Sequence, residues 1–466
     1  MVCNSKYFFA AVLLTSFAFA QQDHSQHQMP AKPSAMAASF SVTQSTSGIT
    51  LDSLLQLARE NNPTLKQAAA EIRTAEARRR QAGALPNPTV GYVGEDIRGG
   101  VYRGGQHGFF VEQPIVLGGK LGAARGVFAQ HVEQARLEAE EQRLRVDHGV
   151  RSLFYRALAA QQSAQVRSEI TALTQEAATV TKQLANVGQA DQTDVLQAEI
   201  EAQQAELATM SANSGYQRAF RELTAAVGMP GMQLQKLAGK LDADLPQLES
   251  ATWMKTLLTD TPAIKIARSE VDRRRAEEAQ ARKAATPDLR VKAGLLHNRE
   301  FAGASTRPVG WLGFAEVGIQ IPLFNRNQGG MAAARIEVER AEHETKRTEL
   351  LLQQRSAGIW EEYETAKSAS TRYRAEILPR AQQAHELMTK RYGEMAAAYP
   401  QVLVARRTYL HMTLDYVAAL DRLWSSAIEL ESFMLTDALE SPARAGEMDR
   451  SVREINLPTR MASPER

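Results

Sequence analysis

Cysteine is nearly absent from this sequence, in which Cys3 is the single thiol among 466 residues. It lies before the apolar stretch YFFAAVLLTSFAFA, whereas a lipidated cysteine would follow such a stretch. With Lys6 in front and Ala18-Phe19-Ala20 at its end, the stretch predicts a signal peptide over 1–20, because it is short for a membrane anchor. Its removal would leave no cysteine, which excludes disulfides, thiolate metal sites and a cysteine nucleophile.

An excess of one charge sign and long apolar runs are also missing. The 55 basic and 53 acidic residues give a net charge of +2, which offers no electrostatic case for binding nucleic acid. No later segment has 18 consecutive apolar residues, so no membrane-spanning helix is predicted, and only a closed β-barrel could take the chain into a membrane. No HExxH, P-loop or Ser/His/Asp pattern stands out, so neither an enzyme nor a cofactor is expected.

An internal repeat is present instead. Asn62-Pro63 opens a predicted helix that runs to about Ala84, and Thr261-Pro262 opens a second one that runs to about Ala285. In each, a polar candidate cap precedes a proline at the first helical position, where its missing N–H costs little. Two alternating runs follow each helix, and these predict strands at about 89–97, 107–116, 289–298 and 310–321.

The alternation is clearest in the last of these runs. Trp311, Ala315, Val317 and Ile319 share one face, whereas Glu316 and Gln320 lie on the opposite face. Runs of about 10 residues that are apolar on one side are typical of membrane-barrel strands. They fit half-buried strands of a soluble sheet equally well, and the pattern alone leaves both interpretations open.

Very long helices are predicted after each strand pair. If residues 123–186 form one helix, its length is about 95 Å. Breaks are expected near 186–189 and 392–394, with returning helices at 194–227 and from Pro400 to about Leu439, while Pro379 is expected only to kink its helix. The narrow stripe of apolar and small residues favours coiled-coil packing in a bundle or tube.

Four further motifs carry a resemblance. They are LPNP at 85–88, QPIVLGGK at 113–120, IPLFNRNQGG at 321–330, and the paired helix breaks that begin with Val187-Gly188 and Tyr392-Gly393. In this order and duplication the chain resembles the TolC-like outer-membrane efflux family over about residues 50–440. The GGK and RNQGG stretches are most similar to its heavy-metal branch, the CzcC- and CusC-like proteins.

The resemblance implies a mostly α fold with β strands and an internal two-fold repeat. Three chains would each give four strands to a 12-stranded outer-membrane β-barrel, which a long periplasmic α-helical tube would continue. At the strand-to-helix joints, the prolines would end the strand ladder and the glycines would turn the backbone; these residues are Pro114, Gly118, Gly119, Pro322, Gly329 and Gly330.

The expected organisation follows from the repeat and the resemblance together. After the signal peptide comes a disordered His-, Gln-, Met- and Ser-containing segment at 21–49. The first repeat occupies 50–228, a linker 229–250, the second repeat 251–440, and a disordered tail 441–466.

The resemblance also implies passive conduction of substrate, most consistently heavy-metal cations, across the bacterial outer membrane. The homotrimer would lie in outer-membrane lipid and work with a periplasmic adaptor and a proton-driven inner-membrane RND pump. Alternatives that stay open are a duct for drugs or for protein secretion, and a wholly periplasmic coiled-coil scaffold.

Candidate site residues follow from the resemblance and from the chemistry of the residues themselves. Glu112, Glu316 and Gln320 would face the barrel lumen, because charge on a lipid-facing surface is costly. His24, His27 and Met29 offer weak candidate ligands for a metal, although low-complexity disorder explains that segment better. The adaptor would contact the periplasmic tips, where the acidic residues could equally be helix caps; these residues are Val187, Gly188, Gln189, Asp191, Asp194, Gly393 and Glu394.

Overall fold

The computed structural model describes residues 48–97, 105–301 and 307–442, and its elements follow one order twice. Each half has a short helix, a longer helix, two strands and then very long helices. The first half comprises α1 (Leu51–Asn61), α2 (Pro63–Ala82), β1 (Thr89–Glu95), β2 (Gln106–Ile115), α3 (Lys120–Asn186) and α4 (Gln192–Val227). The second comprises α5 (Ser250–Asp260), α6 (Pro262–Lys283), β3 (Leu289–Phe301), β4 (Pro308–Ile319), α7 (Gln328–Arg372), α8 (Leu378–Gly393) and α9 (Tyr399–Glu431).

The caps of α2 and α6 differ. Asn62 is fully buried, and its Oδ1 accepts a hydrogen bond from the Thr64 N–H at 2.9 Å, which satisfies a free donor at the start of α2. Thr261 was expected to cap α6 in the same way, and that prediction is wrong. Its hydroxyl instead donates back to the Leu257 carbonyl at the end of α5, and its side chain makes no cap on α6.

The helix α3 is continuous over 67 residues, or about 100 Å. Its continuity follows from a sequence without proline between Pro114 and Pro230 and rich in alanine, glutamine, glutamate and arginine. It begins three residues earlier than the expected Ala123. Among the described residues, no helix combines the length and apolar character needed to cross a membrane.

The helical segment that contains Pro379 is not broken at that residue, as expected. A five-residue π-helical turn, Tyr373–Ile377, separates α7 from α8 and comes immediately before Leu378-Pro379. Proline offers no N–H to the preceding turn, and its ring crowds the carbonyl four residues earlier. The wider π turn accommodates that ring, so the rod continues to Gly393.

The last helix, α9, ends at Glu431 rather than near Leu439. Phe433 and Met434 adopt left-handed backbone conformations, with φ of +53° and +69°. The Met434 N–H donates to the Glu429 carbonyl at 2.8 Å, which closes the helix end. The chain then turns back, so that Ala438 packs in the central core.

The four strands form one antiparallel sheet in the order β1-β2-β3-β4. β4 begins and ends two residues earlier than the alternating sequence predicts. Ile319 pairs with Leu289, which is the first residue of β3, so the alternating residues beyond Ile319 have no strand to pair with. Strand ends are therefore set by the partner strand and not by the pattern alone.

Four helices lie side by side at each level of the long rod, and α3 belongs to both levels. Near the sheet the packing order is α2-α3-α6-α7, and toward the far end it is α4-α3-α9-α8. The thickest core lies between these levels, where α1, α3, α4, α9 and the 229–250 segment meet around Leu54, Phe220, Leu241 and Trp424. Beyond it, the helices are held by a thin cluster of five buried residues, Val166, Ile170, Leu173, Leu403 and Leu410.

Candidate functional site

One face of the sheet is apolar and uncovered in the single chain. Residues that pair in register share a face, so Val90, Val111, Ala293 and Ala315 lie in one row. Neighbouring rows of the same face carry Phe109, Trp311 and Val317, and the last two are 70% and 67% exposed. A continuous apolar surface of this kind calls for an apolar environment. The exposed large members of the face are Val90, Tyr92, Phe109, Val111, Ile115, Leu295, Trp311, Val317 and Ile319.

The opposite face carries the charges. Glu112, Lys292 and Glu316 lie in one register row across β2, β3 and β4, and Arg290 lies in the next row toward the helices. The Arg290 guanidinium is 3.9 Å from the Glu112 carboxylate. Gln320 follows β4 directly, and its N–H donates to the Asp288 carbonyl at 3.4 Å. Glu112 and Glu316, two of the predicted lumen residues, thus share a face.

The first strand-to-helix joint turns on glycine, as expected. Gly118 and Gly119 both have φ of +69°, a left-handed conformation that glycine adopts without steric cost. Gly119 then forms the N-cap of α3. The role expected of Pro114 is wrong, because this proline lies within β2, opposite Arg290, and Ile115 still pairs with Leu289 beyond it. The pairing of β2 with β1 ends at Glu112, two residues before Pro114. The missing N–H of Pro114 therefore costs no hydrogen bond to β1.

The second joint turns on asparagine rather than glycine. Asn327 has φ of +61°, and its side-chain Nδ2 donates to the Ala281 carbonyl at 2.9 Å. Gly329 and Gly330 lie within the first turn of α7, so the prediction that they turn the chain is wrong. Pro322 lies three residues beyond the end of β4 and outside the ladder.

Asp288 connects the two joints, and the sequence argument missed it. One carboxylate oxygen is 2.8 Å from Lys120 Nζ, and the other accepts from the Leu117 N–H at 3.1 Å. The backbone carbonyl of Asp288 accepts from Gln320. The carboxylate thus ties the start of α3 to the start of β3. Its only local signal is its place after Thr286-Pro287, where a loop rather than a site is the natural interpretation.

The first tip is a glycine turn followed by a reciprocal cap. Gly188 has φ of +75°, and the Gln189 N–H closes the end of α3 on the Leu184 carbonyl at 2.8 Å. Asp191 accepts from the Asp194 N–H at 2.9 Å, and Asp194 accepts from the Asp191 N–H at 3.1 Å. This capping box fixes the start of α4 and makes both acids structural.

The capping box has an electrostatic consequence at the first tip. Hydrogen bonds from the Thr193 hydroxyl and then from the Asp194 N–H hold the pKa of Asp191 below its usual value. The carboxylate is therefore charged throughout the neutral range. Val187, beside the turn, is exposed and presents an apolar side chain at the same end.

The second tip is built differently. Gly393 is the last residue of α8 and is helical, so its expected role as the turning residue is wrong. Met395 takes the left-handed conformation, with φ of +56°, and is 96% exposed. Glu394 forms the C-cap, and its carboxylate lies 3.9 Å from Lys390 Nζ. The helix α9 then begins after Ala398, which provides no side-chain cap.

Near the tips, two polar contacts join the first helical hairpin (α3 and α4) to α9 of the second hairpin (α8 and α9). The Tyr399 hydroxyl donates to the Glu176 carboxylate, and this hydrogen bond raises the pKa of Tyr399. The Arg407 guanidinium donates to Glu201 at 2.8 Å. The partners are more than 200 residues apart in the chain, so no local pattern in the sequence could have paired them.

The structure offers no metal site in the part of the chain that it describes. Among those residues, no group of three or more His, Cys, Asp or Glu side chains is placed to hold an ion. The weak candidate ligands His24, His27 and Met29 lie outside the described residues.

An antiparallel sheet with one apolar face, joined through two turns to long helices of which α3 measures about 100 Å, defines a class of elongated channel wall. The family model for "Outer membrane efflux protein" matches residues 54–229 and 253–434, which is one match in each half of the chain. The chain belongs to the outer membrane efflux protein family, whose members are channels and not enzymes.

Individual proteins support the same assignment. The chain is 26% identical over 424 residues to the cobalt-zinc-cadmium resistance protein CzcC of Cupriavidus metallidurans, covering 91% of this chain and 97% of that protein. It is 29% identical over 316 residues to the nickel-cobalt-cadmium resistance protein NccC of Alcaligenes xylosoxydans, covering 65% and 68%. The crystal structure of CusC has the same fold, with a TM-score of 0.66, 16% identity, and coverage of 88% and 98%.

Proposed function

We propose that three copies of this chain form a duct through which heavy-metal cations leave the periplasm across the outer membrane. The observation that carries the proposal is the sheet, which is apolar and exposed on one face and charged on the other. Such a sheet suits a barrel wall with lipid outside and water inside.

The need for more than one copy follows from the open edges of the sheet. In the described part of the chain, β1 and β4 each have a strand on one side only. Unpaired backbone groups are costly in lipid, so both edges require partners. Four strands are too few to close a barrel, since the smallest membrane barrels have about eight. Three copies supply twelve strands, in line with the implied architecture.

Like the sheet, the layer of long helices has two open edges. At the level nearest the tips, α4 and α8 flank the wall, and α8 has no buried residue in the single chain. The outer surface of α4 presents Leu196, Ile200, Leu207 and Met210. Contact between α4 of one copy and α8 of the next would cover these side chains and close the tube.

The partners and cargo are proposed from the relatives. A periplasmic adaptor would dock on the two tips, around Gly188 and Glu394, and an inner-membrane proton-driven pump would deliver the substrate. CzcC and NccC are named for resistance to cobalt, zinc, cadmium and nickel, which supports divalent transition-metal cations as the cargo.

Growth of a deletion strain tests the proposal. The strain is grown on graded cobalt, zinc, cadmium, nickel, copper, silver and several hydrophobic drugs, with and without a plasmid copy of the gene. We expect loss of tolerance to one or a few metals, restored by the plasmid. Sensitivity to drugs alone would reject the metal cargo and leave the duct. The fractionation of the complementing protein provides the second readout, since a soluble periplasmic monomer would reject the duct itself.

A further inference from the structure

The charged face of the sheet contains a built aromatic platform. Phe110 of β2 lies beside Gly91 of β1, and Phe314 of β4 lies beside Gly294 of β3. A Cβ added at Gly91 would lie 2.5 Å from the Phe110 ring, and one added at Gly294 would lie 2.5 Å from the Phe314 ring. Each ring therefore occupies the space beside a glycine of a neighbouring strand, where a Cβ would collide with it.

Lys292 extends over this platform. Its Nζ lies 4.4 Å from the centroid of the Phe110 ring and 5.9 Å from that of the Phe314 ring. Both rings present their negative faces to the ammonium group, which favours this position. Within the described residues, these are the contacts that place the Lys292 charge, although Glu112 and Glu316 flank it in the same register row.

The charge balance of this band depends on Lys292. The two carboxylates, Glu112 and Glu316, are matched by Lys292 and by Arg290, which is 3.9 Å from Glu112. Removal of the lysine would leave one uncompensated negative charge in each copy. In a closed assembly these charges would recur around one level of the passage, where charge of one sign concentrates counter-ions.

We propose that Lys292, held on the Phe110 and Phe314 rings, is a selectivity-determining residue that limits the preference of the channel for cations over anions. The proposal rests on the proposed function, because it needs the charged face to line a water-filled lumen. The opposite face is the apolar one, which leaves this face for water. The ring contacts hold the ammonium at a fixed level, where its field acts on every ion that passes.

Planar-bilayer recording of the purified full-length protein tests this. The reversal potential is measured in a KCl gradient for the natural protein, for Lys292→Met and for Lys292→Arg. We expect Lys292→Met to raise the ratio of cation to anion permeability by at least about twofold, since the uncompensated carboxylate charge would then attract cations and repel anions. Lys292→Arg keeps the charge and the ring contact, and it should match the natural protein. Lys240→Met, an exposed position in the 229–250 segment, is the control for removal of charge elsewhere.

Salt dependence separates a field effect from altered folding. The difference between Lys292→Met and the natural protein should shrink at 1 M KCl, where the Debye length is about 3 Å. A difference that is unchanged by salt would overturn the proposal. So would a Lys292→Met channel that conducts with the natural selectivity.

A cysteine variant keeps the test decisive if Lys292→Met fails to assemble. Cys3 is the single native cysteine, so Lys292→Cys in a Cys3→Ser background gives one reactive thiol. Reaction with a cationic methanethiosulfonate should restore the natural selectivity, and reaction with an anionic one should push it further toward cations. A thiol that neither reagent reaches in a conducting channel would overturn the placement of residue 292 in the lumen. Absence of conductance in the natural protein would reject the proposed duct rather than the role of Lys292.

Discussion

The two halves of the chain meet the same backbone requirement with different residues. At the first joint and the first tip, the left-handed positions are held by Gly118 and Gly188. The equivalent positions in the second half are held by Asn327 and Met395, although glycines lie within two or three residues of each. The fold therefore requires a left-handed residue at the joint and at the tip of both halves, whereas glycine occupies these positions only in the first half.

The energetic cost of this difference is uneven. A left-handed conformation costs a non-glycine residue about 1–2 kcal/mol. Asparagine is among the residues that adopt it most readily, and Asn327 adds a side-chain hydrogen bond to Ala281. Met395 is almost fully exposed and has no such offset. The second tip is thus the least favourably built of the four turns.

The largest expected effect distinguishes the two helix caps. Asn62→Ala removes the cap of α2 and also leaves the Ala226 carbonyl, which now accepts from Asn62 Nδ2 at 2.8 Å, without that partner in a buried site. We expect a loss of about 2–4 kcal/mol in the free energy of unfolding. Thr261→Ala removes only the hydroxyl bond to Leu257, and we expect a loss of about 1 kcal/mol.

Urea unfolding of the detergent-solubilised protein, followed by far-ultraviolet circular dichroism, measures both losses. Asn62→Ser is the matched control, because serine keeps a neutral acceptor for the cap and removes the bonds that Asn62 Nδ2 donates to the Ala226 carbonyl and, at 3.2 Å, to the Ala438 carbonyl. Equal losses for Asn62→Ala and Thr261→Ala would show that the first cap has no special weight.

The next effect has opposite signs in the two halves. Gly118→Ala places a Cβ 2.5 Å from Thr286 Cγ2 in a left-handed backbone, and we expect a loss of about 2–3 kcal/mol. Gly329→Ala lies in the first turn of α7 with open space around the new methyl group, and we expect a gain of about 0.5–1 kcal/mol. The same unfolding measurement checks both, and a loss at Gly329 would mean that the glycines of the second joint do turn the chain.

Much of the fold was predictable because its signals are local. Asn62-Pro63 predicted α2, and the absence of proline before Pro230 predicted α3. The alternation in 310–321 placed Glu316 and Trp311 on opposite faces of the sheet, as the register confirms. The resemblance to the efflux family was confirmed over both halves. The helices and the strand alternation depend on residues within one element, where periodicity and caps act directly, whereas the resemblance depends on the order of motifs along both halves.

The errors arose where two local arrangements compete or where the outcome depends on distant residues. Glycine was assigned the turns at 329–330 and 393 because its conformational freedom is visible in sequence, whereas the left-handed positions fell on Asn327 and Met395. Thr261 failed as a cap because α5 ends close enough to accept its hydroxyl. The contacts of Asp288 with Lys120, and of Glu176 with Tyr399, join residues more than 160 apart, which a single sequence cannot pair.

The smallest expected effect compares the N-caps at the two tips. Asp191 caps α4, whereas Ala398 has the extended backbone of an N-cap but no side chain to accept a hydrogen bond. Gln401 stands at the third helical position, so Ala398→Ser would complete a Ser-x-x-Gln capping box. We expect a gain of about 1 kcal/mol, seen as about fivefold slower hydrogen exchange in the first turn of α9.

The pH dependence sharpens the same comparison. Because the pKa of Asp191 is lowered in the folded protein, its contribution is present above the unfolded pKa of about 3.9 and is lost as the pH falls through the folded value. Hydrogen exchange, corrected with an unstructured peptide of the same sequence, should therefore show α4 losing protection in acid, with Asp191→Asn as the control that removes this dependence. The serine cap introduced at 398 carries no titrating group, so the start of α9 should keep its protection over the same range. Equal acid sensitivity at both helix starts would mean that the tips loosen together, through contacts between the hairpins and not through the Asp191 cap.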